Sequence, residues 1–271
     1  MDKKAKVFAI MNEKGGVGKT TTATNMAYLL GKQNKKVLLI DFDGQANSTI
    51  LMGNENPNNI GITISTILNN IIDNNYILPP EDYLIKTKGI NLIPANANLF
   101  YLESKLSTVT FREYMLKKFI DSVREDYDYI IIDCMPQIGV PLINVMVASD
   151  RLIIPTQSEI LSVKGLTELI RHYIGIKAVN QELKISGILM TMDKKNTKTS
   201  KEVKKLLDSN FKENVNIFKT VIPYSIKVSE ANMYKKIICE YLPKNTVSVF
   251  YEKFLKEVLK NEQWKNATRW L

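Results

Sequence analysis

A glycine-rich loop near the start of the chain constrains the fold more than any other feature. Residues 14–21 read Lys-Gly-Gly-Val-Gly-Lys-Thr-Thr, after an apolar run over 7–11 and before a helix-like stretch over 18–33. This context, between a strand and a helix, is typical of a phosphate-binding loop. Glycines let backbone N–H groups approach a phosphate closely, and the helix start adds unsatisfied donors. The loop therefore predicts an α/β fold with an anion site.

The residues of this loop are expected to divide the chemistry of phosphate binding. Lys19 would bring a full positive charge to the β- and γ-phosphates of a nucleotide, and the Thr20 hydroxyl would bind Mg²⁺. A plain glycine turn before a helix is the alternative, but it does not account for the Lys-Thr pair. The predicted nucleotide-binding residues of the loop are Lys14, Gly15, Gly16, Val17, Gly18, Lys19, Thr20 and Thr21.

Two later apolar runs end in carboxylates. One run leads to Asp41 and Asp43, and another ends at Asp133. The carboxyl ends of parallel strands share one edge of a sheet, which is where ligands bind. A solvated strand end would explain either run alone, but their order after the loop favours a site. We predict Mg²⁺ ligation by Thr20, Asp43 and Asp133, with Asp43 also ordering a water near the γ-phosphate.

Apolar runs and helical stretches alternate along the chain, which is typical of a doubly wound, mostly parallel α/β sheet flanked by helices. No long Pro-, Gly- or Ser-rich linker interrupts the 271 residues. We predict one domain over 1–271, without an N-terminal DNA-reading domain. The predicted strands are 7–11, 37–40, 90–93, 129–132, 151–154, 185–190 and 217–222, and the predicted helices are 18–33, 111–123, 162–179, 200–207 and 247–260.

Composition excludes several classes of protein. No apolar run approaches the length of about 18 residues that a membrane-spanning helix needs. Cys134 and Cys239 are too few for a disulfide framework or a four-thiolate zinc site. The N-terminus has no signal-peptide pattern, so we expect a cytoplasmic protein.

Positive charge is concentrated in the second half of the chain. Residues 1–150 hold 15 Lys and Arg against 16 Asp and Glu, whereas residues 151–271 hold 22 against 12. This asymmetry suggests an anionic partner, either nucleic acid or an acidic membrane surface. A solvated lysine face in a lysine-rich protein is the alternative.

The loop departs from the ordinary Walker A pattern, because Glu13 replaces its first glycine and Lys14 follows. The run from Lys14 to Thr20 resembles the deviant Walker A loop of the ParA/MinD ATPases, which form P-loop NTPase folds. The resemblance implies that ATP joins a homodimer in which Lys14 reaches the partner's nucleotide. It implies catalytic roles for Lys14, Lys19 and Asp43.

Other segments extend the resemblance over essentially the whole chain. Residues 41–47 are similar to the family's Asp-x-Asp-Pro-Gln-Gly-Asn, with departures at Gly44 and Ala46, and residues 129–136 resemble its Walker B strand, with departures at Cys134 and Met135. These departures could change the rate of hydrolysis, which the family performs slowly without a partner. Similarity at 189–192 and 222–231 implies that Met192 and Pro223 lie near the adenine. The length is similar to that of the short ParA proteins called Soj.

The resemblance also implies a use for the basic half. Soj-like dimers bind DNA without sequence preference, and a ParB-like protein stimulates hydrolysis and release. Such a protein would be nucleoid-associated. Asn196 stands where relatives carry a DNA-binding arginine. The predicted DNA-contacting lysines are Lys194, Lys195, Lys198, Lys201, Lys204, Lys205, Lys227, Lys235 and Lys236.

A DNA-partition ATPase has three alternatives. A MinD-like membrane switch would need the amphipathic stretch 251–260 to be free, although core packing explains that stretch better; Trp264 and Trp270 follow it without an assigned role. An iron–sulfur relative would need two cysteines placed to bridge a cluster, which the spacing of Cys134 and Cys239 does not favour. A metabolic P-loop kinase or ligase would not explain Lys14.

Overall fold

A central sheet organises the structure, a computed structural model that describes residues 4–195 and 197–263. Its strands are β1 (Lys6–Ile10), β2 (Val37–Phe42), β3 (Ile85–Thr87), β4 (Ile90–Ile93), β5 (Tyr129–Cys134), β6 (Arg151–Gln157) and β7 (Lys184–Thr191). They lie in the order β3-β4-β2-β5-β1-β6-β7, and every pair is parallel except β3 with β4. The predicted doubly wound, mostly parallel sheet is confirmed.

Helices cover both faces of this sheet. They are α1 (Lys19–Lys32), α2 (Asn47–Leu51), α3 (Ile64–Asn74), α4 (Pro80–Tyr83), α5 (Leu102–Leu106), α6 (Met115–Val123), α7 (Val140–Ala148), α8 (Ile160–Ile176), α9 (Lys198–Phe211), α10 (Ile226–Met233), α11 (Ile238–Tyr241) and α12 (Thr246–Gln263). Side-chain caps mark the start of several of these helices. At α9, for example, the Thr197 hydroxyl accepts a hydrogen bond from the Ser200 amide at 3.2 Å.

The apolar strands explain why the core has two halves. Because side chains alternate along a strand, Val7 and Ala9 of β1 face one cluster while Phe8 and Ile10 face the other. The first cluster includes side chains of α3, α6, α7, α8 and α9, and the second includes those of α1, α11 and α12. The central strands are buried on both sides, as expected for a parallel sheet.

Two predictions about secondary structure were wrong. Residues 217–222 run beside β7 without forming a strand. One isolated bridge joins Ile217 to Ile188, and the Ile222 amide donates to the Met190 carbonyl at 2.9 Å, whereas the Lys219 and Thr220 amides donate to the Glu257 carboxylate on α12. The predicted helix over 111–123 begins only at Met115, since Phe111 adopts a left-handed conformation with φ of 55°. Within the described ranges, no helix has the length and apolarity needed to span a membrane.

Candidate functional site

The glycine-rich loop joins β1 to α1 at the carboxyl edge of the sheet, as predicted. Gly16 and Gly18 have φ angles of 73° and 86°, which side chains other than glycine rarely tolerate. The Lys19 ammonium group folds back over the loop and donates to the Lys14 carbonyl at 3.0 Å. Burial lowers the pKa of Lys19, while the nearby carboxylates of Asp133 and Asp43 oppose that shift. The loop therefore encloses a cation beside backbone donors, which suits a phosphate chain.

The ends of β6 and β7 hold this loop from one side. The Gln157 side-chain amide donates to the Gly16 carbonyl at 2.8 Å, and the Thr191 hydroxyl donates to the Val17 carbonyl at 2.7 Å. These bonds fix two of the loop's peptide groups, and an anion would bind the amides at the start of α1. Roles for Gln157 and Thr191 were not predicted, because 141 and 174 residues separate them from their partners.

Asp133 lies at the end of β5 beside the start of α1. Its carboxylate accepts a hydrogen bond from the Ser48 hydroxyl at 2.8 Å, while its Oδ1 atom is buried without a hydrogen-bond partner among the described residues. Burial raises the pKa of Asp133 to about 6, and hydrogen bonding to Ser48 and Thr20 opposes this rise. An orphaned carboxylate oxygen next to a threonine hydroxyl fits Mg²⁺ or a water bound to it.

Asp41 and Asp43, at the end of β2, differ in how firmly hydrogen bonds hold them. Asp41 is fully buried and accepts hydrogen bonds from both the amide and the hydroxyl of Thr49, each at 2.7 Å. Burial, together with the charge of Asp133, raises the pKa of Asp41 well above its usual value. Asp43 is less tied, because its Oδ1 accepts only from the Gln45 amide, at 2.9 Å. Asp41 thus serves the fold, and the catalytic role of Asp43 stays a prediction.

Lys14, the second lysine of the loop, points away from Lys19. Its ammonium group forms an ion pair with Glu159, the residue that precedes α8. Both side chains are partly exposed, at 36% and 56%. The loop therefore carries one enclosed and one outward cation. Glu159 was not singled out from the sequence, since only the fold brings it within reach.

The two predicted base neighbours lie on one side of the loop. A side chain at Gly18 would meet the Met192 methyl group at 3.6 Å, so Met192 packs against the start of α1. The backbone of Pro223 bridges to Asp193, the next residue after Met192. Met192 thus lies beside the loop and Pro223 beside the residue that follows Met192, and their contact with a base stays a prediction.

The predicted DNA-contacting lysines fall into three groups. Lys227 and Lys235 are paired with Glu230 and Glu55, each at 2.7 Å, which reduces their availability for phosphate. Lys194, Lys195 and Lys236 lie over the rings of Tyr224, Phe250 and Tyr241. The lysines of α9 are exposed and without an ion pair among the described residues; they are Lys198, Lys201, Lys204 and Lys205. Asn196, Trp264 and Trp270 lie outside the described residues.

Comparison with known proteins places the chain among nucleotide-binding proteins. Residues 5–185 match the family model described as "AAA domain". The sporulation initiation inhibitor protein Soj of Bacillus subtilis is 35% identical, covering 94% of this chain and 99% of that protein. A chromosome partitioning protein ParA of Caulobacter vibrioides is also 35% identical, covering 97% of each.

Solved structures show the same architecture. A cobyrinic acid a,c-diamide synthase of Mycobacterium smegmatis, with a bound ATP analogue and magnesium, has a TM-score of 0.82 at 27% identity and covers 97% of both chains. A putative plasmid partition protein of Borrelia burgdorferi bound to AMPPNP has a TM-score of 0.76 at 28% identity, covering 95% of this chain and 99% of that one.

Proposed function

The chain belongs to the ParA/Soj family of partition ATPases, and on this premise we propose that it is a DNA-partition ATPase driven by an ATP–Mg²⁺-dependent homodimer. The observation that carries the proposal is the pairing of an enclosed lysine, Lys19, with an outward lysine, Lys14, on one phosphate loop. One subunit uses the first cation for its own nucleotide. The second pairs with Glu159 in this subunit and would serve a nucleotide held by another copy.

The described residues support a division of labour in ATP hydrolysis. Lys19 and the loop amides bind the β- and γ-phosphates, and Met192 with Pro223 flanks the base. Thr20, Asp43 and Asp133 would hold Mg²⁺, which would neutralise charge at the phosphates when bound. Asp43 accepts a hydrogen bond from the attacking water and so fixes its direction. The products are ADP and phosphate. We expect a slow rate of hydrolysis without the partner protein, if Asp43 alone aligns the water poorly.

The lysines of α9 form the surface through which the proposed dimer binds DNA. Val203, Leu207 and Phe211 bury one face of α9, which leaves its lysines on the outer face. Phosphate contact needs charge and reach, so lysines suffice for binding without sequence preference. Two copies of this face double the phosphates contacted. We propose that the protein acts in the cytoplasm on the nucleoid and that a ParB-like protein triggers release.

DNA binding under controlled nucleotide states tests the proposal. The purified protein is mixed with duplex DNA of arbitrary sequence and ATP–Mg²⁺, ADP–Mg²⁺ or no nucleotide, at two salt concentrations. We expect binding with ATP–Mg²⁺ alone, and log affinity should fall with log salt by ~0.9 per phosphate contacted. Lys14→Ala should bind ATP yet form no dimer by light scattering. Binding that ignores the nucleotide, or a normal dimer in Lys14→Ala, contradicts the proposal.

A matched pair of variants tests the role of α9. Replacing Lys201, Lys204 and Lys205 with alanine should weaken DNA binding and reduce the salt slope, because up to three phosphate contacts per subunit are lost. The control replaces Lys117 and Lys118 on α6, which pair with Asp121 and Asn75. An equal loss of affinity in both variants contradicts a role for α9.

A ligase activity and a membrane switch are the competing functions. The Mycobacterium smegmatis structure favours the first, although the closer sequence identity is to partition proteins. The membrane switch loses support because α12 buries Phe254, Leu255 and Val258 against the core half that contains α1. Nucleotide-dependent binding to anionic liposomes without binding to DNA would favour the membrane switch.

A further inference from the structure

One short segment touches both loops that follow the acidic strand ends. Residues 97–101 form a 3-10 turn that leads directly into α5. Leu99 and Leu102 are 1% and 2% exposed, so the core fixes this segment at two points. Between them, Phe100 remains 47% exposed. The core therefore holds the segment in place while the Phe100 ring stays half exposed.

The Phe100 ring lies against Gly44, in the turn that carries Asp43. A Cβ atom at Gly44 would be 2.8 Å from both Cε2 and Cζ of the ring, closer than such atoms approach in proteins. The ring therefore occupies the space that a side chain at position 44 would need. The turn itself is tight, since the Ala46 amide donates to the Asp43 carbonyl at 2.9 Å and Ala46 has a φ of 54°. Phe100 covers this turn from outside.

The same segment reaches the loop that follows Asp133. The Glu103 carboxylate lies where a side chain at Gly139 would be, at the residue that precedes α7. A carboxylate at this position faces the positive end of the α7 dipole. The contact places α5, and with it Phe100, in a fixed relation to the end of β5. One segment thus joins the Asp43 turn to the Asp133 loop.

We propose that Phe100 is a positioning residue for ATP hydrolysis, and that its ring against Gly44 holds Asp43 where the attacking water must be aligned. The inference rests on the proposed function, because the water-aligning role of Asp43 belongs to that proposal. Glu103 supports the ring by fixing α5 against Gly139. Because this role acts through Asp43, the loss of the Phe100 ring should change the rate of the chemical step more than the binding of ATP.

Steady-state ATPase kinetics of ring variants test the proposal. Phe100→Ala should lower kcat about tenfold with a change in KM of less than about twofold, because misplacing a catalytic group by a fraction of an ångström has effects of this size. Phe100→Tyr keeps the ring and should keep the rate. The matched control is Tyr101→Ala, since Tyr101 is the next residue and is 74% exposed. Equal kcat in Phe100→Ala and wild type overturns the proposal.

A second pair of measurements separates this proposal from the proposed function. Gly44→Ala should displace the ring and lower kcat, but the same change should add little in the Phe100→Ala background, because the two changes remove one contact. Hydrogen exchange of the nucleotide-free protein should show faster exchange over residues 43–46 in Phe100→Ala and wild-type exchange in Phe100→Tyr. Faster exchange without any wild-type ATPase activity would refute the function and keep the positioning contact. Unchanged exchange refutes the positioning contact.

Discussion

At the scale of single residues, the proposed dimer moves Lys14 from one partner to another. In the free subunit it pairs with Glu159, whereas the proposed dimer needs its charge at a second nucleotide. Dimerisation therefore has to break this ion pair. Because exposed pairs contribute only ~0.2–1 kcal/mol, Glu159→Gln should strengthen the ATP–Mg²⁺ dimer about threefold. Analytical ultracentrifugation at several protein concentrations measures this shift.

Glu168→Gln is the matched control for Glu159→Gln. Glu168 also lies on α8 and pairs with Arg171 at 2.7 Å, but it does not contact the loop. Its loss removes the same charge and should leave the dimerisation constant unchanged. Equal strengthening in both variants would mean that net charge, and not release of Lys14, controls association.

Asp133 makes a different residue-scale prediction, about pH. A carboxyl whose pKa is higher in the fold than in the unfolded chain retains its proton on folding, so stability falls as the pH rises between the two values. For Asp133 these values are 3.8 and about 6. Asp133→Asn removes the cost of ionising this buried carboxyl. Its free energy of unfolding should therefore rise relative to that of wild type by about 2–3 kcal/mol between about pH 4 and about pH 7. Urea unfolding with a chelator and no nucleotide measures it.

An exposed carboxylate provides the comparison for Asp133→Asn. Asp121→Asn breaks an exposed pair with Lys117 and should show no gain over the same pH range. If the free energies of unfolding of wild type and Asp133→Asn differ by a constant amount from about pH 4 to about pH 7, burial does not raise the pKa of Asp133 in the ligand-free protein.

At the scale of elements, Thr49 links three of them. Its amide and hydroxyl donate to Asp41 at the end of β2, and its hydroxyl accepts from the Ala95 amide beyond β4 at 3.0 Å. Thr49→Val leaves a buried amide and part of a buried carboxylate without partners, so the free energy of unfolding should fall by about 2–3 kcal/mol. Thr49→Ser retains the hydroxyl and should lose less than about 1 kcal/mol. Equal losses in the two variants would contradict this, because the methyl group, which only Thr49→Ser removes, would then matter as much as the hydroxyl.

Sequence patterns predicted the elements of the sheet wherever the pattern was long or continuously apolar. Strand β5 and the loop before α1 are examples, because burial on both faces and a contiguous motif leave a clear signal. The antiparallel strand β3, Ile-Lys-Thr, was missed since three half-polar residues carry no period. The segment 217–222 has strand-like residues, but Glu257 takes two of its amides. Contacts made by distant side chains decide such cases.

The residues of the candidate site, too, could be predicted only where a contiguous motif contains them. Lys14, Lys19, Thr20 and Asp133 could be named because each belongs to a short contiguous motif next to a strand. The residues that were missed contact the loop or Asp133 only through the fold. They include Ser48, Gln157, Glu159 and Thr191. A single sequence does not indicate which polar residues of other strands and helices will be their neighbours.

At the scale of the whole molecule, the sheet separates two core halves, and each contains one cysteine. Cys134 belongs to the half with α7, and Cys239 to the half with α1 and α12. Burial raises the pKa of Cys134 well above its usual value and that of Cys239 to about 12, so neither presents a thiolate in the native protein. Labelling with a thiol reagent therefore requires opening of the half that holds the thiol.

This arrangement tests whether the two halves unfold as one unit. If they do, the single-cysteine variants Cys134→Ala and Cys239→Ala should label at equal rates when compared at equal stability, because one global opening exposes both thiols. ATP–Mg²⁺ should slow both by one common factor, set by its concentration relative to its dissociation constant. Labelling of Cys134 more than about tenfold faster than that of Cys239 would show that the half carrying the Asp133 loop opens alone. In that case ATP–Mg²⁺ should slow the labelling of Cys134 more than that of Cys239, since the nucleotide would hold closed the region it binds.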